Sequence, residues 1–275
     1  MEVYSMIEHV VDDVRFHLHE KHDFRWIKKF GKAFAVYPDK DDGYLCFGIN
    51  RNGVKRYIKY AGAKTALYFG KPEDAISQLE KAKLRYEFLK HPSLVKLTHH
   101  EDVGPGYMLE YEWIEGENLW HYPFEKLELH ERLQMLETIF TFHEKVEQKS
   151  FVAIGFNNAS MIYDSTNKRL KIVNIDHYEK NEHLNKMENL LPSSPFVSPE
   201  ELTLNTKLNT RTNVYRMGAI AFSVLGKDQD LAGSPMHKVA KRAMSKDPME
   251  RFESIEDFHQ IWKKAVEVSL AVKGY

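Results

Sequence analysis

Lys59 lies toward the end of the run RYIKYA, and Asp176 follows the apolar run KIVNI. An ammonium fixed on a strand offsets phosphate charge, and a carboxylate at a strand end can hold a divalent cation. Standing alone, the lysine reads as an exposed strand residue and the aspartate as a turn former. Asn157 and Asn158 in GFNNAS add amides able to bind metal or phosphate. An amide does not accept a proton at neutral pH, so neither is a general base. Gly31, Gly43 and Gly48 offer backbone that a phosphate can approach without obstruction, although GxGxxG is absent.

Other chemistries fall away. Cys46 is the one cysteine, set between Leu45 and Phe47 in a strand-like run, so neither an internal disulfide nor a thiolate zinc site is available. His99-His100, His17 with His19 and the remaining histidines lack the spacing with acids that a metal site needs, and read as surface residues. The 275 residues carry 39 Lys+Arg against 40 Asp+Glu, interleaved, for a net charge of −1. Nucleic acid is therefore not an expected partner. A hydrophobic content of 43% supplies a sizeable core. No apolar run reaches the roughly 18–20 residues of a membrane helix, and the amphipathic, acid-containing N-terminus is unlike a signal peptide, so the expected location is cytoplasmic.

The elements that must position Lys59 and Asp176 follow from periodicity. Val3, Ile7, Val10, Val11, Val14 and Leu18 recur at three and four residues, which predicts an N-terminal helix over 3–20. KAFAVY, YLCFGI and KRYIKYA are strand-like, with Asn52-Gly53 a strong hairpin signal between the last two. Pro72 opens a helix with Ala75, Ile76, Leu79, Ala82, Tyr86 and Leu89 on one face, ending at His91-Pro92. SLVKLTHHED and GYMLEYEWIEG read as two more strands around Gly104-Pro105-Gly106. From Leu127 the chain turns helical, and the short strands ASMIYD and LKIVNID follow. After the loop LLPSSPFVSPE come helices near 200–204, 212–225, 235–245 and 254–270. The expected class is α+β: a helical extension over 1–25, a small antiparallel-sheet lobe with one helix over 26–112, and a mainly helical lobe over 113–275. Ligands favour the junction of two such lobes.

This order of elements, with the residues in it, resembles the protein kinase superfamily over about residues 30–265, in an atypical, bacterial Ser/Thr form. The resemblance implies that Lys59 holds the α- and β-phosphates of ATP and that the DDGYLCFGI hairpin, with Gly43 and Gly48, stands in part for the phosphate-covering loop. The glutamate pairing with Lys59 falls near Ala82, with Glu80 and Glu87 as flanking candidates and Glu80 preferred. GYMLEYEWIEGENL resembles the hinge that grips adenine, with Tyr111 at the back of the pocket and Glu112 and Trp113 on the hinge. Aligning MIYD with the strand after the catalytic loop puts Gly155 at the base aspartate and Ser160 at the asparagine, with Asn158 the nearest group left for catalysis. Asp176-His177-Tyr178 stands for Asp-Phe-Gly, so Asp176 would hold magnesium, with Ser160 beside it. Ser198-Pro199-Glu200 resembles Ala-Pro-Glu, with Arg251 as the buried partner of Glu200. Asn213 stands where an aspartate braces the catalytic loop, a departure that matches the missing His-Arg-Asp.

What the resemblance implies is an ATP- and Mg2+-binding, protein-kinase-like chain with a degenerate catalytic loop, a pseudokinase or weakly active kinase. Its partners would be a nucleotide and a protein substrate or regulator. The alternatives are an active Ser/Thr kinase with atypical motifs and a small-molecule phosphotransferase of the kinase-like group. Ser193-Ser194 is a candidate phosphorylation site.

Overall fold

A computed structural model describes residues 6–38, 41–186, 195–226 and 231–273. The chain is α+β with antiparallel sheets, and it divides into two compact units. One comprises Met1–Lys90 and Val95–Ile114, the other His91–Leu94 and Glu115–Tyr275. Val3 and the Ser193-Ser194 pair lie outside the described residues.

The first unit begins with a hairpin of β1 (Ile7–Val11) and β2 (Val14–Leu18), where the spacing predicted a helix. Two features override that periodicity. Asp12 and Asp13 both take positive φ, 47° and 73°, the backbone of a two-residue turn matched to strand twist. VRFHL also alternates, burying Phe16 and Leu18 while Arg15 and His17 face solvent. Asp12 Oδ2 accepts the Ala33 N–H at 2.8 Å and fastens the turn to the next strand.

That strand, β3 (Lys32–Tyr37), opens a sheet with β4 (Tyr44–Arg51), β5 (Val54–Ala61), β6 (Leu97–Asp102) and β7 (Tyr107–Glu112), in the order β3-β4-β5-β7-β6. Asn52 and Gly53, at φ 53° and 82°, make the expected turn between β4 and β5. Helix α1 (Pro72–Phe88) follows β5, with Pro72 in its first turn. Leu45, Phe47, Ile49, Ile58 and Tyr60 point to one face and pack with Phe16, Leu18, Phe24 and Ile27. Alternation therefore sends Tyr44, Cys46, Gly48, Tyr57 and Lys59 to the other face, where α1 buries Ala75, Leu79, Ala82 and Tyr86.

The second unit is built on β8 (Glu117–Asn118), α2 (Leu129–Gln148), β9 (Phe151–Val152), β10 (Met161–Asp164) and β11 (Arg169–Ile172). Then come β12 (Glu179–Lys180), β13 (His183–Leu184), β14 (Lys207–Leu208), α3 (Thr210–Leu225), α4 (Pro235–Ala243) and α5 (Ile255–Lys273). Glu128 and Glu131 form a capping box that starts α2. Phe140 of α2 meets Phe258 and Trp262 of α5 edge-on, with ring centroids at 5.0 and 5.6 Å. The helix expected at 200–204 is a single 3-10 turn, Pro199–Leu202, capped at its start by Glu201, which turns back to the Ser198 N–H and hydroxyl at 2.9 and 2.8 Å. His143 and His259 are buried, contrary to the surface placement expected for the histidines. His259 sits between Glu144 and Glu137, with ring nitrogens 2.6 and 2.8 Å from their oxygens. No helix among the described residues is long and apolar enough to cross a membrane.

Candidate functional site

Lys59 stands on β5, buried, with its Nζ 5.4 Å from the Tyr44 ring centroid and 6.0 Å from that of Tyr111. Tyr111 is buried on β7, directly across from Tyr57. Glu112 ends β7, and its Oε1 accepts the Lys96 N–H at 3.0 Å. Trp113 follows, with its ring edge-on to Phe34 at 5.1 Å. Glu80 is exposed on α1 and bears on the phenol of Tyr107, whose pKa burial raises first and Glu80 raises further. Ala82, where the spacing lands, is fully buried and carries no charge. The preferred partner of Lys59 is thus on a different face of the helix from the one packed on the sheet.

The two glycines are filled from above. A Cβ on Gly43 would lie 2.7 Å from the Tyr68 ring, and one on Gly48 would lie 2.7 Å from the Phe34 ring and 3.2 Å from Trp113. At Gly48 the aromatic side chains occupy the space, while Gly43 also takes φ +80°, a backbone that favours glycine by itself. The Tyr57 phenol hydrogen-bonds Cys46. Burial pushes its pKa well above the usual range, Cys46 adds to the rise, and Lys59 opposes it. Tyr57, Phe34 and Tyr68 escaped the sequence reading because alternation alone does not tell a core aromatic from one lying over a binding face.

In the second unit, Gly155 takes φ +75° and is exposed, with only His177 near its would-be Cβ, at 3.7 Å. Asn157 caps the 3-10 turn Asn158–Ser160 by accepting the Ala159 N–H at 2.8 Å. Asn158 is buried, and its Nδ2 donates to Ser223 Oγ at 3.0 Å, so its amide is turned toward α3. Ser160 is buried too, its hydroxyl accepting the Asn157 N–H at 3.4 Å. Asp176 is buried, and its N–H donates to Asn174 Oδ1 at 3.2 Å. Asp176 and Ser160, the expected magnesium ligands, are both buried, and the Ser160 hydroxyl keeps a lone pair and its own proton beyond the Asn157 N–H it accepts. Among the described residues no three His, Cys, Asp or Glu side chains group as metal ligands.

Tyr178 is held by a buried histidine. Its hydroxyl lies 2.8 Å from His143 Nε2, while His143 Nδ1 lies 2.7 Å from the Ile139 carbonyl. A carbonyl only accepts, so Nδ1 carries the proton and Nε2 accepts from Tyr178. Burial drives the His143 pKa down to about 3, against the pull of that carbonyl. The backbone around Gly155 is likewise held. Asn213 Oδ1 accepts the Ala153 N–H at 2.7 Å and its Nδ2 donates to the Phe151 carbonyl at 3.0 Å. Asn213 thus ties the Phe151–Ala153 backbone to α3 with both ends of its amide. Arg216 adds donations to the Phe156 and Phe196 carbonyls at 2.9 and 3.0 Å and a buried ion pair with Glu201. The expected Glu200 to Arg251 pair forms as a two-pronged contact, 2.7 and 2.9 Å, with Arg251 fully buried. Arg216 and Glu201 were missed, although Glu201 follows Glu200 directly in the same SPEE phrase.

No protein-family model matches the chain, and no curated protein matches its sequence.

Proposed function

We propose that this chain is a protein-kinase-like protein that has lost phosphotransfer, a pseudokinase that works through a protein partner. In this reading the first unit is the small lobe and the second the helical lobe. The observation that carries it is Gly155. At the position of the base there is no side chain, and the neighbouring side chains are amides, Asn157 accepting in a cap and Asn158 donating to Ser223, neither of which takes a proton at neutral pH. A kinase requires a carboxylate there to orient the acceptor hydroxyl and take its proton. Further support comes from the maintained frame: the Glu200 to Arg251 pair and the bracing by Asn213 keep this segment fixed without the acid.

The test is transfer of γ-phosphate from ATP with magnesium, offered to generic protein acceptors and to small hydroxyl compounds, with Lys59→Ala and Asp176→Asn as controls. No transfer above these variants is the expected result. Transfer to protein that both substitutions abolish would establish an active Ser/Thr kinase, and transfer to a small alcohol alone would establish a small-molecule phosphotransferase.

A further inference from the structure

We infer that the chain's own aromatic side chains plug the sheet face that would receive a purine, so the protein works without bound nucleotide. This rests on the kinase-like reading, which assigns that face to adenine through Lys59 and Trp113, and it removes ATP from the ligands that reading implied.

Rings pave the face without a break. Phe34 meets Trp113 at 5.1 Å, Trp113 meets Tyr57 at 6.5 Å, Tyr57 meets Tyr111 at 6.5 Å, and Tyr111 meets Tyr86 of α1 at 5.0 Å. The packing leaves less room than a methyl group needs. Over Gly48 the Phe34 ring is 2.7 Å from the place a Cβ would take, whereas carbon atoms in good contact stand about 3.5–4 Å apart. A purine ring needs that clearance across its whole area.

Two devices hold the rings in place. The pairing of β3 with β4 slips between Ala33 and Ala35, so Phe34 is the extra residue of a bulge, and a bulge re-aims the side chain it carries. Tyr57, placed opposite Gly48, is hemmed in by the Tyr37, Tyr111 and Trp113 rings, with centroids at 6.3, 6.5 and 6.5 Å. Phe34 is 41% exposed and meets one ring of the face, whereas Tyr57 lies among those three rings. Removing Phe34 alone thus uncovers only part of the face. Lys59 points between the Tyr44 and Tyr111 rings on this same face, which gives its ammonium a place with no phosphate present.

The experiment is titration of the full-length protein with adenosine and with Mg·ATP by calorimetry, comparing wild type, Phe34→Ala and Phe34→Ala/Tyr57→Ala, with circular dichroism to establish that each is folded. No saturable heat is expected for wild type, and adenosine affinity at least tenfold stronger is expected for the double variant, with the single variant between. Should the double variant not fold, Phe34→Ala against wild type still decides the matter. Adenosine binding by wild type as tight as by the variants overturns the plug while leaving the kinase-like reading intact. Binding by none of the folded proteins overturns both. Loss of ATP affinity in the double variant when Lys59→Ala is added supports the kinase-like reading independently.

Discussion

An amide at position 213 does two opposite things at once, accepting from the Ala153 N–H and donating to the Phe151 carbonyl. A carboxylate can do only the first, and its second oxygen would face a carbonyl lone pair in a buried setting. Asn213→Asp is therefore expected to destabilise the protein by about 1–3 kcal/mol, the range for a buried polar group left unsatisfied. Urea unfolding measures this, and a variant as stable as wild type would show that the amide donation contributes nothing. The Glu200 to Arg251 pair lies at the same scale. Burial alone would raise the Glu200 pKa, but the Arg251 guanidinium, the Glu200 backbone N–H and the Thr212 hydroxyl together outweigh it and hold the carboxyl below its usual value. Glu200→Ala strands a fully buried guanidinium and should cost on the order of 3–5 kcal/mol. Substituting both residues by apolar ones of similar volume should cost far less. A single-variant loss below about 1 kcal/mol would mean that the remaining contacts of Arg251 to the Ser245 and Arg211 carbonyls suffice.

At the scale of elements, strands with a clear turn and helices with a clear face were legible. Asn52-Gly53 fixed the β4-β5 hairpin, and Pro72 with its apolar stripe fixed α1. The N-terminal segment was not, because Ile7, Val10, Val11, Val14 and Leu18 satisfy a spacing of three and four and also suit a hairpin. The decision rests on tertiary contacts no local pattern contains: Phe16 packs edge-on to Phe24 at 5.4 Å and to Phe47 of β4 at 6.4 Å. The candidate site divides in the same way. Motif order along the chain singled out Lys59, Gly155, Asp176, Glu200 and Arg251, and of these Glu200 and Arg251 meet as the spacing implied. The side chains that fill space over Gly43 and Gly48 depend on which strand lies opposite which, and that information is long-range. The hairpin carries a prediction of its own. If β1 and β2 form a wall of the core and not a loose extension, Phe16→Ala should destabilise the protein by about 3–5 kcal/mol. Val10→Ala, at a position 57% exposed on the same hairpin, should change stability by less than about 1 kcal/mol. Equal and small effects of the two would show that the hairpin is peripheral to folding.

Over the whole molecule, buried titratable groups pull stability in opposite directions with pH. His143 has its pKa lowered to about 3 by burial, and partial burial also lowers His22 and His91. The unfolded chain binds more protons at these sites, so their contribution is complete above about pH 6.5 and is lost as pH falls toward the folded values. Glu147 runs the other way. At the end of α2 it accepts the Ile255 N–H at 2.8 Å, capping the start of α5, yet burial raises its pKa to about 7 despite that bond and one from Thr210. Here the folded protein binds the extra proton, so stability declines as pH rises from about 4.5 to 7 and stays lower above that. The two slopes oppose each other between about pH 4.5 and 6.5, and the wild-type stability curve should be flattened there. Glu147→Gln keeps an acceptor for the α5 amide and removes the charge. It should match wild type at pH 4, gain progressively from about pH 4.5, and be more stable by on the order of 1–3 kcal/mol at pH 8. Urea unfolding across that range reads the difference directly. A gain of the same size at pH 4 and pH 8 would assign the effect to packing, and a loss at pH 8 would mean that the ionised carboxylate is the better cap for α5.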